Sequence, residues 1–379
     1  MQERFGDALV ALERSLLLDA TQLGVQLDYA VALAKTGDLA SARELAKQLL
    51  EGKTPPLAVR QMLEAALRDE QSSSVKPKTH WEWRGSVQSL IGKETNLNSA
   101  TTAEAINLIL PNGQIALPLD ALSRPRSGTA SISMGHIIAQ TLVDTGQLVF
   151  QGDWRERFAF GNSEFSYSQQ DASLLWRKHA ADAWAGRLAT SSYSMGGSLL
   201  FEAQSVSAWK EFTNKDCTLA TGLEAEQRSY AQDNTQNGIY ASAFASTLCI
   251  KGQSNFRLGI QAGNDRASQS RRAGGNQSRL DFKASWERQW SWGRTIAEVV
   301  SSQLKDSSPY SDILGGDVRN TQRQNFRVSV IKRLKFEEIS NKWGGWYSVS
   351  AVEVLRQESN IVLFDVRGES LYTGLRYEF

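Results

Sequence analysis

The chain has 379 residues, 42 basic and 41 acidic, for a net charge of +1. That balance argues against a nucleic-acid partner and against an acidic, disordered chain. Mean hydropathy is −0.37 and no apolar run approaches the roughly 18 residues of a membrane helix; a β-barrel stays open, because its apolar band is hidden in alternation.

Residues 1–69 read as helices. Met1 leads directly into the charged stretch QERFGDALVALERSL, with no signal peptide. The segment GDALVALERSLLLDA (6–20) is echoed 31 residues on by GDLASARELAKQLLEG (37–52). Each opens Gly-Asp and places Ala five residues after the Gly, at Ala11 and Ala42. LDYAVALAKT supplies the helix before the second copy, with Tyr29, Ala30 and Ala34 on one side, and PPLAVRQMLEAALRD (55–69) a further one. This pattern resembles the tetratricopeptide repeat, although that repeat spans about 34 residues. The first copy lacks its opening helix. The expectation is either a cytosolic chain or, in better accord with a start in mid-repeat, a trimmed or misassigned beginning.

EQSSSVKPKTH (70–80) is rich in Ser, Lys and Pro and reads as a linker. After it the period changes from 3.6 to 2. In RLDFKASWERQW (279–290), Leu280, Phe282, Ala284, Trp286 and Trp290 share one face, and Arg279, Asp281, Lys283, Ser285, Glu287 and Gln289 the other. NFRVSVIKRLKF (325–336) sets Phe326, Val328, Val330, Leu334 and Phe336 against Arg327, Ser329, Arg333 and Lys335. Such strands exceed the usual 5–6 residues, and the polar face is too charged for a dry core but suits a wet lumen.

Fourteen strands are expected, at 81–92, 129–140, 147–158, 167–178, 181–190, 193–206, 216–229, 238–250, 254–263, 279–290, 294–304, 323–336, 345–356 and 368–379. The stretch 181–206 is the ambiguous part. Tight links at 143–146, 251–254 and 291–293 alternate with long polar links at 95–128, 263–277 and 304–321. Short turns on one side and long loops on the other are the habit of outer-membrane barrels. The first long link holds a small hairpin of its own around an Asn-Gly turn, INLIL-PNG-QIALPL. Trp81, Trp83, Trp154, Trp290, Trp292, Trp343, Trp346 and Tyr377 cluster near strand ends, as an interfacial girdle would. The fold class is therefore α+β multidomain: a small helical domain at 1–69, a linker at 70–80 and a transmembrane antiparallel barrel at 81–379.

Cys217 and Cys249 flank the turn-like QDNTQNG symmetrically. Side-chain parity argues against a bridge: Cys217 shares a face with Leu219 and Leu223, whereas Cys249 lies opposite Phe244, Leu248 and Ile250.

Catalytic chemistry is not indicated. His80, His136 and His179 are scattered, so no metal site is expected, and no cofactor motif is present. SYSMG (192–196) has Ser192 where a nucleophile elbow has Gly; Ser194 with His179 or His136 is a weak candidate pair. In the loop DRASQSRRAGG, Arg266, Arg271 and Arg272 could meet lipopolysaccharide phosphates, but a solvated loop is the simpler expectation.

The final segment alternates to its last residue, with Leu371, Thr373, Leu375, Tyr377 and Phe379 on one face and Ser370, Tyr372, Gly374, Arg376 and Glu378 on the other. Gly374, Tyr377 and Phe379 resemble the C-terminal β-signal of bacterial outer-membrane proteins. That resemblance implies recognition by the barrel assembly machinery. Helical repeats, a linker and about 14 strands together resemble the surface lipoprotein assembly modulators. GKETNLNSAT (92–101) is similar to that family's D-x-N-x-N segment, with Glu94, Asn96 and Asn98 at its positions and Glu in place of Asp. ESNIVLFDVRGESLYTGLRYEF is similar to its closing hairpin, with Phe364, Asp365 and Arg367. The resemblance implies an outer-membrane translocator, not an enzyme, with its N-terminal domain in the periplasm. A surface lipoprotein would be its client, and outer-membrane lipid and lipopolysaccharide its surroundings. The short helical domain departs from the family's longer array. The alternatives are a polysaccharide export porin and a soluble periplasmic β-rich scaffold.

Overall fold

The computed structural model describes residues 23–36, 39–52, 81–121, 123–143, 145–178, 183–334 and 344–379, with isolated positions 9, 12, 13 and 16. The chain divides into two compact units, Met1–Lys78 and Thr79–Phe379. In the first, helices Leu23–Thr36 and Leu39–Gly52 pack on each other. Ala30, Ala32 and Leu33 of one and Ala42 and Leu49 of the other are buried. Small and branched residues at helical spacing make that close approach possible. Most of the expected helix at 6–20, all of that at 55–69 and the linker at 70–80 lie outside the described residues.

The second unit is a closed antiparallel barrel of 14 strands. Its strands are β1 (Glu82–Glu94), β4 (Gly128–Val143), β5 (Gly146–Ala159), β6 (Tyr167–Lys178), β7 (Trp184–Met195), β8 (Ser198–Asn214) and β9 (Cys217–Tyr230). They continue through β10 (Gly238–Lys251), β11 (Ser254–Ala267), β12 (Gln277–Trp290), β13 (Gly293–Asp306), β14 (Asn320–Arg333), β15 (Gly345–Ser359) and β16 (Val366–Glu378). The hairpin β2 (Ala105–Leu110) and β3 (Gly113–Pro118) forms a separate two-stranded sheet in the first long loop. Each barrel strand pairs with its neighbours in sequence, and β16 returns to pair with β1. Closure leaves no sheet edge.

Alternation decides which face meets lipid. Leu219 and Leu223 of β9, Ile239 of β10, Leu258 and Ile260 of β11, and Leu280 and Phe282 of β12 are 43–67% exposed on the outside. Their strand neighbours Glu224, Glu226, Gln261, Arg279 and Asp281 point inward, where Gln261 donates to Glu224, Arg279 pairs with Asp281 and Glu226 pairs with Arg228. An outer face this apolar suits hydrocarbon, not water, and it removes the soluble-scaffold reading. A closed, even-stranded barrel with an apolar exterior and a charged interior is the architecture of a bacterial outer-membrane protein. Trp83, Trp176, Trp184, Trp292 and Trp346 are all exposed near the end of the tight turns, where an aromatic belt belongs. Trp343 lies outside the described residues.

Two expectations are corrected. The ambiguous pair turns at Gly196–Gly197, not near 191: both glycines have positive φ, 57° and 80°, as a two-residue hairpin turn of the primed type requires. The strands it joins therefore run later than the alternation alone suggested, to Met195 and from Ser198. Cys217 and Cys249 are bonded, and they are direct register partners of β9 and β10. The parity argument assumed that Phe244 and Leu248 mark the lipid face. They face the lumen, where Phe244 packs on Trp209, while the small residues Ala243, Ala245 and Thr247 share the outer face with Cys249.

Inside, a buried apolar cluster lines one sector of the wall. It joins Leu90, Ala130, Ile132, Ala159, Ile331, Val349 and Tyr372 with Leu97, which enters from the first long loop. The Arg294–Glu378 ion pair, at 2.8 Å, spans β14 and β15 across the same sector.

Candidate functional site

The closing seam collects the residues singled out in the sequence. β1 and β16 share nine register pairs, against eleven to fourteen at the other strand pairs of the barrel, so what lies at its two ends matters. At the turn end, Gly85 and Phe379 exchange backbone hydrogen bonds of 2.9 and 3.0 Å. Tyr377 and Leu375 face outward; the Tyr377 ring packs against Trp346 and Phe379. Arg376 and Glu378 face inward and pair at 2.7 Å. Gly374 sits in mid-seam, where a Cβ would lie 2.0 Å from the Ser89 carbonyl oxygen.

At the loop end Glu94, Asn96 and Asn98 form a clasp. The Glu94 carboxylate takes the Arg157 guanidinium at 2.7 Å and the Tyr372 hydroxyl, joining β1, β5 and β16. Asn96 is buried; its Nδ2 donates to the carbonyls of Ala100 (2.9 Å) and Arg367 (2.8 Å), and its Oδ1 accepts from Ala100 N at 2.9 Å. Asn98 binds Arg124 O and Arg126 N at 2.8 and 3.0 Å. Beside them Thr102 N donates to Asp365 O at 2.9 Å, and the Thr101 hydroxyl to Val362 O at 2.6 Å. Asp365 also accepts from Ser359 N, which holds the β15–β16 turn, and Phe364 packs edge-on against Tyr310. The structure thus brings the segments at 94–98 and 364–367 into direct contact.

The lumen holds the other concentration of polar chemistry. Register puts Arg155 and Arg157 of β5, Tyr167 of β6, Tyr193 of β7, Phe201 of β8 and Tyr230 of β9 on the inner face. The four rings form a continuous row, with centroids 5.6, 5.7 and 5.6 Å apart. Arg157 also donates to the carbonyls of Leu97 (2.8 Å) and Phe165 (2.5 Å), so it anchors the inturned loop. Counting from β1 through β4, β7 is the fifth strand and β14 the twelfth, so Tyr193 and Arg323 stand on opposite walls. These residues carried no motif; the signal available was Arg and Tyr recurring at lumen parity near the loop ends of strands.

The remaining candidates do not assemble into a site. His136 faces the lumen and shares a hydrogen bond of 2.5 Å with Asp153. Ser194 lies on the outer face of β7, whereas His136 faces the lumen, so Ser194 and His136 cannot act together. His80 and His179 lie outside the described residues. Arg272 is buried in a bidentate pair with Asp265, both bonds 2.9 Å. It is therefore not offered to lipopolysaccharide; Arg266 and Arg271 are exposed. A buried guanidinium is stable only with such a carboxylate partner, and the spacing of basic residues in the loop gave no sign of it.

No family model and no curated protein matches the sequence. Among solved structures, the outer membrane protein OpdK from Pseudomonas aeruginosa is similar at 8% identity and TM-score 0.36, over 79% of this chain and 98% of that one. OmpT, an outer membrane protein of Vibrio cholerae, is similar at 7% identity and TM-score 0.38, over 79% and 97%. OccAB3 of Acinetobacter baumannii gives 5% and 0.37, over 79% and 99%. Likeness at this level carries no argument about what the chain does.

Proposed function

We propose that the chain is an outer-membrane translocator that delivers surface lipoproteins, with a periplasmic tetratricopeptide-like domain at 1–69 and the barrel at 81–379. One observation carries the reading. The segments similar to the surface lipoprotein assembly modulators, at Glu94, Asn96 and Asn98 and at Phe364, Asp365 and Arg367, lie about 270 residues apart in sequence and meet at the rim of the closing seam. Closure pairs β1 with β16 and so sets the two segments side by side; what supports the reading is that Asn96, a residue of the first resemblance, spends its buried amide on Arg367 O of the second. Gly374, Tyr377 and Phe379 would serve the barrel assembly machinery during insertion, and outer-membrane lipid and lipopolysaccharide would surround the mature barrel.

The test is surface display of a co-expressed lipoprotein in cells with and without this chain. Dependence of protease-accessible lipoprotein on the chain is the expected outcome. Equal display without it would remove the reading and favour the alternative of polysaccharide export.

A further inference from the structure

The Tyr167–Tyr230 row and the arginines around it form a layer that client delivery does not explain. We propose that this layer is a binding site for an oxyanion group, a carboxylate or phosphate, carried by a small solute in the lumen. The inference rests on the barrel being a wet passage and not on the lipoprotein reading.

Ring geometry comes first. Tyr167 and Tyr193 stack with planes 28° apart, and Tyr193 and Phe201 with planes 17° apart. Rings stacked along a wall spend their faces on one another. Their hydroxyl-bearing edges are what remain for the lumen. Tyr167, Tyr193 and Tyr230 therefore present phenolic O–H donors on a stiff support, with Phe201 filling the gap between them.

Charge comes second. Most arginines in this part of the wall are taken: Arg157 by Glu94, Arg228 by Glu226 and Arg279 by Asp281. Arg155 and Arg323 make no hydrogen bond or ion pair among the described residues. Arg155 lies over the Tyr167 ring, 5.6 Å from its centroid, with its Nε buried and without a hydrogen-bond partner, and Arg323 of β14 stands on the opposite wall. Guanidinium stays charged and offers a fork that matches carboxylate and phosphate. Two such forks beside a row of phenols are donors without acceptors, and an oxyanion supplies the acceptors. Toward the turn end the same inner faces carry Asp153, Asp171, Glu224 and Glu226. Glu224 and Glu226 are paired there with Arg187 and Arg228, so that stretch offers an anion no free guanidinium and the layer is where its donors lie.

The test uses the full chain refolded in detergent, with folding checked by heat-modifiable migration. Inorganic pyrophosphate and citrate are titrated calorimetrically at low salt into the native sequence, the R155Q/R323Q variant and the loop variant R266Q/R271Q. Binding of at least one probe is expected, weakened about tenfold or more in R155Q/R323Q, as loss of charged hydrogen bonds implies, and unchanged in R266Q/R271Q. Pyrophosphate alone would define a phosphate site and citrate alone a carboxylate site. No binding of either probe, or an equal loss in the loop variant, overturns the proposal. If R155Q/R323Q does not fold, Tyr193→Phe is measured instead, and unchanged affinity there overturns it equally.

Discussion

Gly85 and Phe379 close the ring: Gly85 N donates to Phe379 O at 2.9 Å, and Phe379 N donates to Gly85 O at 3.0 Å. A Cβ on Gly85 would lie 2.7 Å from the Phe379 ring and 2.6 Å from the His136 carbonyl oxygen. Phe379 thus extends the shortest ladder of the barrel by two backbone bonds just beyond β16. Deleting Phe379 removes both bonds, worth about 1–3 kcal/mol together, along with the ring stacked on Tyr377. The amount of folded, heat-modifiable barrel in outer-membrane fractions should fall. Unchanged levels would contradict both the pairing role and the address role of this residue. Gly85→Val should lower it similarly while leaving Phe379 in place.

Gly374 should tolerate no side chain. Its Cβ would meet the Ser89 carbonyl at 2.0 Å and Leu90 Cα at 2.8 Å, and backbone cannot step aside as a side chain can. Gly186 on β7 is the matched control, because a Cβ there would meet only Ser207 O, at 3.7 Å. Gly374→Ala is expected to lower the temperature at which the folded band is lost, and Gly186→Ala to leave it unchanged or slightly raised. A reversed order would show that the seam is looser than its register indicates.

Much of this architecture was legible in alternation. Leu280 and Phe282 against Arg279 and Asp281 fixed the faces of β12, because lipid outside and water inside impose a period of two. β10 misled for the same reason: Phe244 and Leu248 are apolar but turn inward, where Trp209 shelters Phe244, and the bonded cysteines were assigned to opposite faces. The place of Tyr193 opposite Arg323 was not legible either, because it depends on where the β7–β8 turn falls and on closure of the ring, which no local pattern encodes. Nor could the Asn96–Arg367 bond be read from composition, since it spans 271 residues; only the resemblance marked both of its ends.

Asn96 should matter more than Asn98. Asn96 is buried with three hydrogen bonds, one of them to Arg367 O on the neighbouring strand of the seam. Asn96→Ala leaves buried carbonyls unanswered, at a cost of about 1–3 kcal/mol. Asn98 is less buried, and its bonds to Arg124 O and Arg126 N stay within the first long loop. Proteolysis of the folded barrel should cut within 95–127 sooner in Asn96→Ala than in Asn98→Ala. Equal rates would mean that the clasp does not hold the loop to the seam.

The bonded cysteines make a prediction that separates the observed register from the alternative. Cys217 opens β9 and Cys249 lies near the end of β10, so the bridge ties the two strands at the turn end, 32 residues apart in sequence. A slip of one residue would send the two side chains to opposite faces and forbid the bond. Protein isolated from an oxidising compartment and denatured should therefore show no reactive thiol until it is reduced, and should then migrate more slowly. Cys217→Ser should still fold, because thirteen other strand pairings close the ring. It should lose at most about 3–4 kcal/mol of stability, the loop-entropy value for a link of this length, seen as a lower melting temperature of the folded band. Two titratable thiols in the unreduced protein would show that Cys217 and Cys249 are not bonded and would contradict their direct pairing across β9 and β10.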